Sequence, residues 1–204
     1  MKQILILLAL LSLGSLLYFT FNTNQEKALK ELPFLGNKGH TIKDFSFTNQ
    51  DGNTVTFANV KGKILVVEYF FTTCQSICPI MNTQMMRVDS ATKGMQNFTI
   101  LSHTVDPETD TVAAMKAYAM RHNPSCNWLF LTGDKAELYR IARESYLLDA
   151  AENATKDIGE DFIHTPDFAL IDQQGRIRGV YNGTVASDVD KLIADIKIMI
   201  GDTN

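Results

Sequence analysis

Hydrophobic positions along this chain fall into three regimes: one unbroken block, a polar stretch, and a long region where short apolar runs alternate with helical spacing. The block is ILILLALLSLGSLLYFTF, residues 4–21, with no charge in it. Apolar side chains on every helical face suit lipid better than a protein core, and the length approaches that of a spanning helix. No small-residue cleavage pattern follows closely and no cysteine lies near, so residues 1–22 read as an uncleaved signal anchor. The rest of the chain then lies in the periplasm or an equivalent extracytoplasmic space, on a single-pass inner-membrane protein. Residues 23–40 read as a polar linker ending in GNKGH, and residues 41–204 as one folded domain.

Within the domain the hydrophobic period alternates between two and about 3.6. Residues 44–47 and 54–57 flank Asn49-Gln50-Asp51-Gly52 and predict a hairpin. Residues 64–71, ILVVEYFF, are almost continuously apolar, β-branched or aromatic, as in a strand covered on both faces. Pro79 fits the first turn of a helix reaching about Thr92. Strands are predicted at 98–103 and 128–131, and helices at 109–122, behind Asp106-Pro107, and at 135–145, behind Gly133-Asp134. Residues 146–161 are polar and irregular, an excursion. A second hairpin joins 168–172 to 176–181, and a last helix spans 188–200 with Ser187 as its N-cap. Hairpin, β-α-β-α, hairpin and helix describe an α/β fold: a thioredoxin-like mixed sheet flanked by helices, with an N-terminal β-hairpin, preceded by the membrane-anchor helix.

Composition narrows the function. The 204 residues are 45% hydrophobic and 21% charged, with a net charge of −4 and both signs interspersed. Nucleic-acid binding has no basic patch to support it. The three cysteines, Cys74, Cys78 and Cys126, are too few for a disulfide scaffold. A close thiol pair outside the cytoplasm is either a disulfide or protected by a ligand. Cys126, in NPSC, reads as a small buried residue near a strand start.

Cys74 and Cys78 stand in TTCQSICP, between the central strand and the helix that follows it. If the loop coils into that helix, positions i and i+4 share a face and the sulfurs converge. A helix start favours thiolate, which is both a nucleophile and a metal ligand, so the spacing serves redox and metal chemistry alike. In a thioredoxin-like fold, the loop containing His164 lies beside the cysteine loop. Two thiolates and an imidazole make a soft, low-coordinate set suited to copper, whereas structural zinc takes a fourth ligand. Met81, Met85 and Met86 at helical spacing read as core. His40, His103 and His122 lack a ligand pattern, and Asp106 reads as a helix cap or a support for the site.

Over roughly residues 40–200 the chain resembles the Sco/SenC family, the copper-binding, thioredoxin-like assembly factors of cytochrome c oxidase. The resemblance is carried by TTCQSICP, TVDPETDT (104–111), WLFLTGD (128–134) and HTPDFALIDQQGRI (164–177). It implies a copper ion held by Cys74, Cys78 and His164, and a domain tethered to the membrane. It also implies, as partner, the copper-bearing subunit of cytochrome c oxidase or another copper protein. Two departures stand out. Gln75 follows the first cysteine where the family pattern usually has proline, and Pro166 stands where thioredoxin-like oxidoreductases carry a cis-proline. They keep a rival reading open, an extracytoplasmic thiol–disulfide oxidoreductase that reduces copper-site cysteines of a partner. In that reading Cys74 attacks and Cys78 resolves. The blandest alternative is a structural disulfide between the two.

Overall fold

The computed structural model describes residues 10–16, 18, 20, 32–149, 163 and 165–201. The domain elements run β1 (Ser46–Asn49), β2 (Thr54–Thr56), α1 (Phe57–Val60), β3 (Ile64–Phe70), α2 (Cys78–Ala91), β4 (Phe98–Thr104) and α3 (Val112–His122). There follow β5 (Trp128–Thr132), α4 (Lys135–Ile141) continuing as a π-helical turn (Ala142–Tyr146), β6 (Asp167–Ile171), β7 (Ile177–Asn182) and α5 (Ala186–Gly201). Among the described residues one sheet has the order β2-β1-β5-β4-β3-β6-β7. Its centre, β3 to β5, is parallel, and the two hairpins extend it as antiparallel flanks.

Strand β3 is central because every one of its residues is buried. Ile64, Val66 and Phe70 pack on one face with Met81, Met85, Leu192 and Ile196 of α2 and α5. Leu65, Val67 and Tyr69 pack on the other with Leu138, Ile141 and the first hairpin's Phe47 and Val55. Each large side chain so buried contributes roughly 1.5–3 kcal/mol relative to exposure, which makes this strand the anchor for whatever follows it.

Antiparallel pairing of Leu65 with Ile171 and of Val67 with Ala169 sets the start of β6 beside the end of β3. The loop leaving β3 and the residues entering β6 therefore meet at one pole of the sheet. The β6–β7 turn lies at the other pole, where Gly175 takes φ +77°, a conformation glycine adopts freely. Residues 32–42 run along that pole. The Leu35 amide donates to the Ile177 carbonyl at 3.0 Å and the Ile42 amide to the Gly175 carbonyl at 2.8 Å.

Several boundaries differ from the sequence expectation. Helix α3 starts at Val112 because the Thr111 side chain accepts the Ala114 amide, so Asp106 does not cap it. Helix α5 starts at Ala186, since the Val185 carbonyl already accepts the Asp188 and Val189 amides; Ser187 lies within the first turn and is not the N-cap. The one-turn α1 was not anticipated; Asn59 folds back to accept the Thr56 amide at 2.7 Å. Residues 150–161 of the predicted excursion lie outside the described residues, as does most of the predicted anchor. Residues 10–16 are helical and exposed, and no described helix is long and apolar enough to cross a membrane.

Candidate functional site

After β3 the chain turns at once, with the Cys74 amide donating to the Phe71 carbonyl at 3.3 Å. Helix α2 then opens at Cys78, with Pro79 in the first turn, where a missing N–H costs nothing. Cys74 precedes the helix, so the sulfurs do not converge through a helical i, i+4 relation. Instead the loop folds back over the helix start, and the Cys78 amide donates to Cys74 Sγ at 3.4 Å. No side chain of the preceding Ile77 caps α2, so the Cys74 sulfur occupies the position of a capping acceptor. Ser76 Oγ lies 3.7 Å from the same sulfur.

The two thiols are free and electrostatically unlike. Burial raises the Cys74 thiol, but hydrogen bonds from the Cys78 thiol and amide and from Ser76 outweigh it, leaving Cys74 below its ordinary value. Cys78 is buried and pushed up to about 12, first by desolvation and then by donating to Cys74. The buried Glu68 carboxyl adds to that rise. Desolvation lifts Glu68 itself to about 7, against a 2.6 Å hydrogen bond from Ser102. One thiol is thus partly exposed and easily ionised, and the other is sheltered and protonated.

A small cavity adjoins Cys78, with walls that include Phe71, Ile77, Cys78, Ile163 and Thr165. The last two flank His164 in sequence; His164 itself lies outside the described residues. No cis peptide bond occurs among the described residues, so Pro166 follows a trans bond. Among them, too, no group of three or more His, Cys, Asp or Glu side chains forms a metal site.

The remaining candidates separate cleanly. Met81 and Met85 are core, while Met86 is 40% exposed. His40 Nε2 pairs with the Ser145 carbonyl at 2.9 Å, and His122 Nδ1 with the Asn82 amide nitrogen at 2.8 Å. His103 is wholly buried among Phe45, Phe47, Tyr69 and Tyr146, with no hydrogen bond to either ring nitrogen. Cys126 is exposed, contrary to the expectation of a buried residue. Its neighbours take the inward positions: Ser125 bonds the Asp89 carboxylate, and the Asn127 side chain bonds the Met95 carbonyl.

Sequence reasoning singled out Asp106 and passed over Asp110. Asp110 is the carboxylate turned inward, at 1% exposure, and it accepts from both the amide and the hydroxyl of Thr72. No local signal in TVDPETDT separates it from Asp106, because its partners, Thr72 and Thr104, are brought to it by the fold.

Comparisons with known proteins bear on the family and the fold. A family model described as SCO1/SenC matches residues 35–201. The chain is 33% identical over 162 residues to the SCO1 protein homolog of Bacillus subtilis, covering 78% of this chain and 82% of that protein. It is 31% identical over 137 residues to the human mitochondrial SCO1 homolog, covering 64% of this chain but only 44% of the relative. Among solved structures it is similar to BsSco, a member of the Sco family of cytochrome c oxidase assembly proteins described as having a disulfide switch. That likeness has a TM-score of 0.67 at 31% identity, covering 80% of this chain and 94% of that one. The copper-bound ScoI of Bradyrhizobium japonicum is similar with a TM-score of 0.61 at 28% identity, covering 78% and 99%.

Proposed function

The chain belongs to the SCO1/SenC family, and on that premise we propose that it is a copper metallochaperone that binds the ion through Cys74, Cys78 and His164. It delivers that copper during cytochrome c oxidase assembly, to the enzyme's copper-bearing subunit or to another copper protein. The observation that carries the reading is the pair of free cysteines at the start of α2, the Cys78 amide donating to Cys74 Sγ, with Cys78 lining a cavity shared with both sequence neighbours of His164. Thiolate and imidazole are soft to intermediate donors that favour copper, and a three-donor set leaves the ion open to attack by an incoming ligand. Transfer then proceeds by ligand exchange, one protein–copper bond forming at the acceptor as one breaks here. The partly exposed Cys74 is the donor an acceptor reaches first. The apolar N-terminal run holds the domain at the membrane on its extracytoplasmic side. X-ray absorption of the copper-loaded full chain tests the ligand set: two sulfurs and a histidine nitrogen are expected, and a copper shell without nitrogen rejects His164.

The asymmetry of the thiols favours a second reading, thiol–disulfide exchange. A Cys74 thiolate attacks a partner disulfide, forming a mixed disulfide and releasing one partner thiolate. Cys78, once deprotonated, attacks Cys74 Sγ and releases the second. The partner gains two electrons, and Cys74 and Cys78 become a disulfide. Such a disulfide cannot ligate copper, so this exchange also gates loading. A Cys78→Ala variant is expected to trap the mixed disulfide; its failure to accumulate with any copper-site disulfide peptide rejects this role.

A further inference from the structure

We propose that Asp110 is a positioning residue for the copper site, its buried carboxylate clamping the turn that presents Cys74; the idea rests on the copper reading above. The Asp110 carboxylate accepts the Thr72 amide at 3.2 Å from each oxygen and the Thr72 hydroxyl at 2.5 Å. Its second oxygen also accepts the Thr104 hydroxyl at 2.5 Å. Thr72 stands two residues before Cys74, inside the turn closed by the Cys74 amide and the Phe71 carbonyl. Thr104 is the last residue of β4, and its oxygen accepts the Asp106 amide at 2.9 Å. The Asp110 amide in turn donates to the Asp106 carbonyl at 2.8 Å, closing the loop that aims the carboxylate.

The chemistry of the partners explains why a carboxylate serves here. An amide and two hydroxyls all donate into one buried point, and an ionised carboxylate accepts throughout, with about four lone-pair sites. Three donors converging on one carboxylate from Thr72 and Thr104 tie the turn to the end of β4. Without the carboxylate the Thr72 amide loses its acceptor, and the turn is free to move relative to the start of α2. Cys74 Sγ meets the Cys78 amide at 3.4 Å, a contact that depends on where the turn holds Cys74. A small displacement of the turn separates the two donors that share the copper ion. Asp110 touches neither sulfur; it acts through Thr72.

The test uses the full chain in detergent, with copper affinity as the first readout. The second is the rate of Cys74 alkylation relative to Cys126, an exposed thiol in the loop entering the N-terminal end of β5, at the other pole of the sheet. Asp110→Ala is expected to weaken copper binding about 10–100-fold, as loss of a support outside the ligand shell commonly does. It should also change the Cys74 to Cys126 ratio. Asp110→Asn keeps an oxygen for Thr72 and should restore most of both. A role in stability alone lowers the unfolding midpoint and leaves the affinity and the ratio of the folded protein at wild-type values; that result overturns the proposal. If Asp110→Ala does not fold, Thr72→Val and Thr72→Ser carry the test. The serine variant should match wild type and the valine variant should not, and equality of the two overturns the clamp. Should the wild type bind no copper, the copper reading fails, while the alkylation ratio still decides whether Asp110 sets the turn.

Discussion

At the pole where β6 turns into β7, the Arg178 guanidinium donates to the carbonyls of Leu32 and Pro33, each at 3.0 Å, and to the Asp172 carboxylate at 3.3 Å. At the pole where β3 ends, the Cys74 sulfur receives an amide at 3.4 Å, and Cys78 leans on a small cavity. The first arrangement spends charge-assisted hydrogen bonds on immobility: side chains 4% and 5% exposed hold the incoming chain against the sheet. The second leaves its strongest donors uncommitted and holds them indirectly, through Thr72 and Asp110. A site that must release its ion needs ligands free to exchange, on a frame that does not move. The incoming chain is thus bound at the pole opposite the thiols.

The contrast breaks most visibly at the fixed pole. Arg178→Ala removes the donor to the Leu32 and Pro33 carbonyls, while Asp172 keeps Arg176 at 2.8 Å, and should cost about 1–3 kcal/mol in denaturant unfolding. Copper affinity of the fraction that stays folded should be unchanged. At the other pole the pattern inverts: Cys78→Ala should lower copper affinity by more than the roughly 100-fold typical of outer-shell losses, with little change in the unfolding midpoint. Isothermal titration beside the unfolding curve separates the two effects.

A third prediction concerns His103, the buried side chain whose ring nitrogens lack hydrogen bonds, on the face of the sheet away from α2. Burial depresses it from 6.5 to about 3. The unfolded chain takes up a proton below about pH 6.5 and the folded one does not, so this residue's contribution falls as pH drops from 6.5 towards 3. It is constant above that window. The loss is about 1.4 kcal/mol per pH unit, and His103→Phe should flatten the acid limb of stability without touching the neutral plateau. The smallest effect is kinetic: at neutral pH an alkylating reagent should modify Cys74 well before Cys78, because Cys74 is lowered and partly exposed while Cys78 is raised and buried.

How much of this was legible in the sequence depended on whether the cause was local. Strand β3 was readable because residues buried on both faces must be apolar in an unbroken run. The hairpins were readable because Gly52 and Gly175 mark turns with positive φ. The cysteine loop announced itself by spacing, and the order of elements carried the fold. Asp110 was not readable, because its partners lie 38 residues upstream at Thr72 and 6 upstream at Thr104. Nothing local distinguishes it from Asp106, whose carbonyl, rather than its side chain, does the work. Cys126 was misjudged for a similar reason: long-range bonds to Asp89 and Met95 turn its neighbours inward and leave it facing out. Helix starts shifted by two or three residues, because backbone carbonyls and Thr111 supplied caps that Ser187 and Asp106 were expected to provide.

The proposed copper site joins Cys74 and Cys78 to His164. Copper titration of the full chain at a defined redox potential, with Cys74→Ala, Cys78→Ala and His164→Ala in parallel, tests it most directly. The expected result is one copper per chain in the reduced protein, none in the disulfide form, and a large loss of affinity in each of the three variants. Full affinity in His164→Ala, or copper binding that survives oxidation of Cys74 and Cys78, would contradict it.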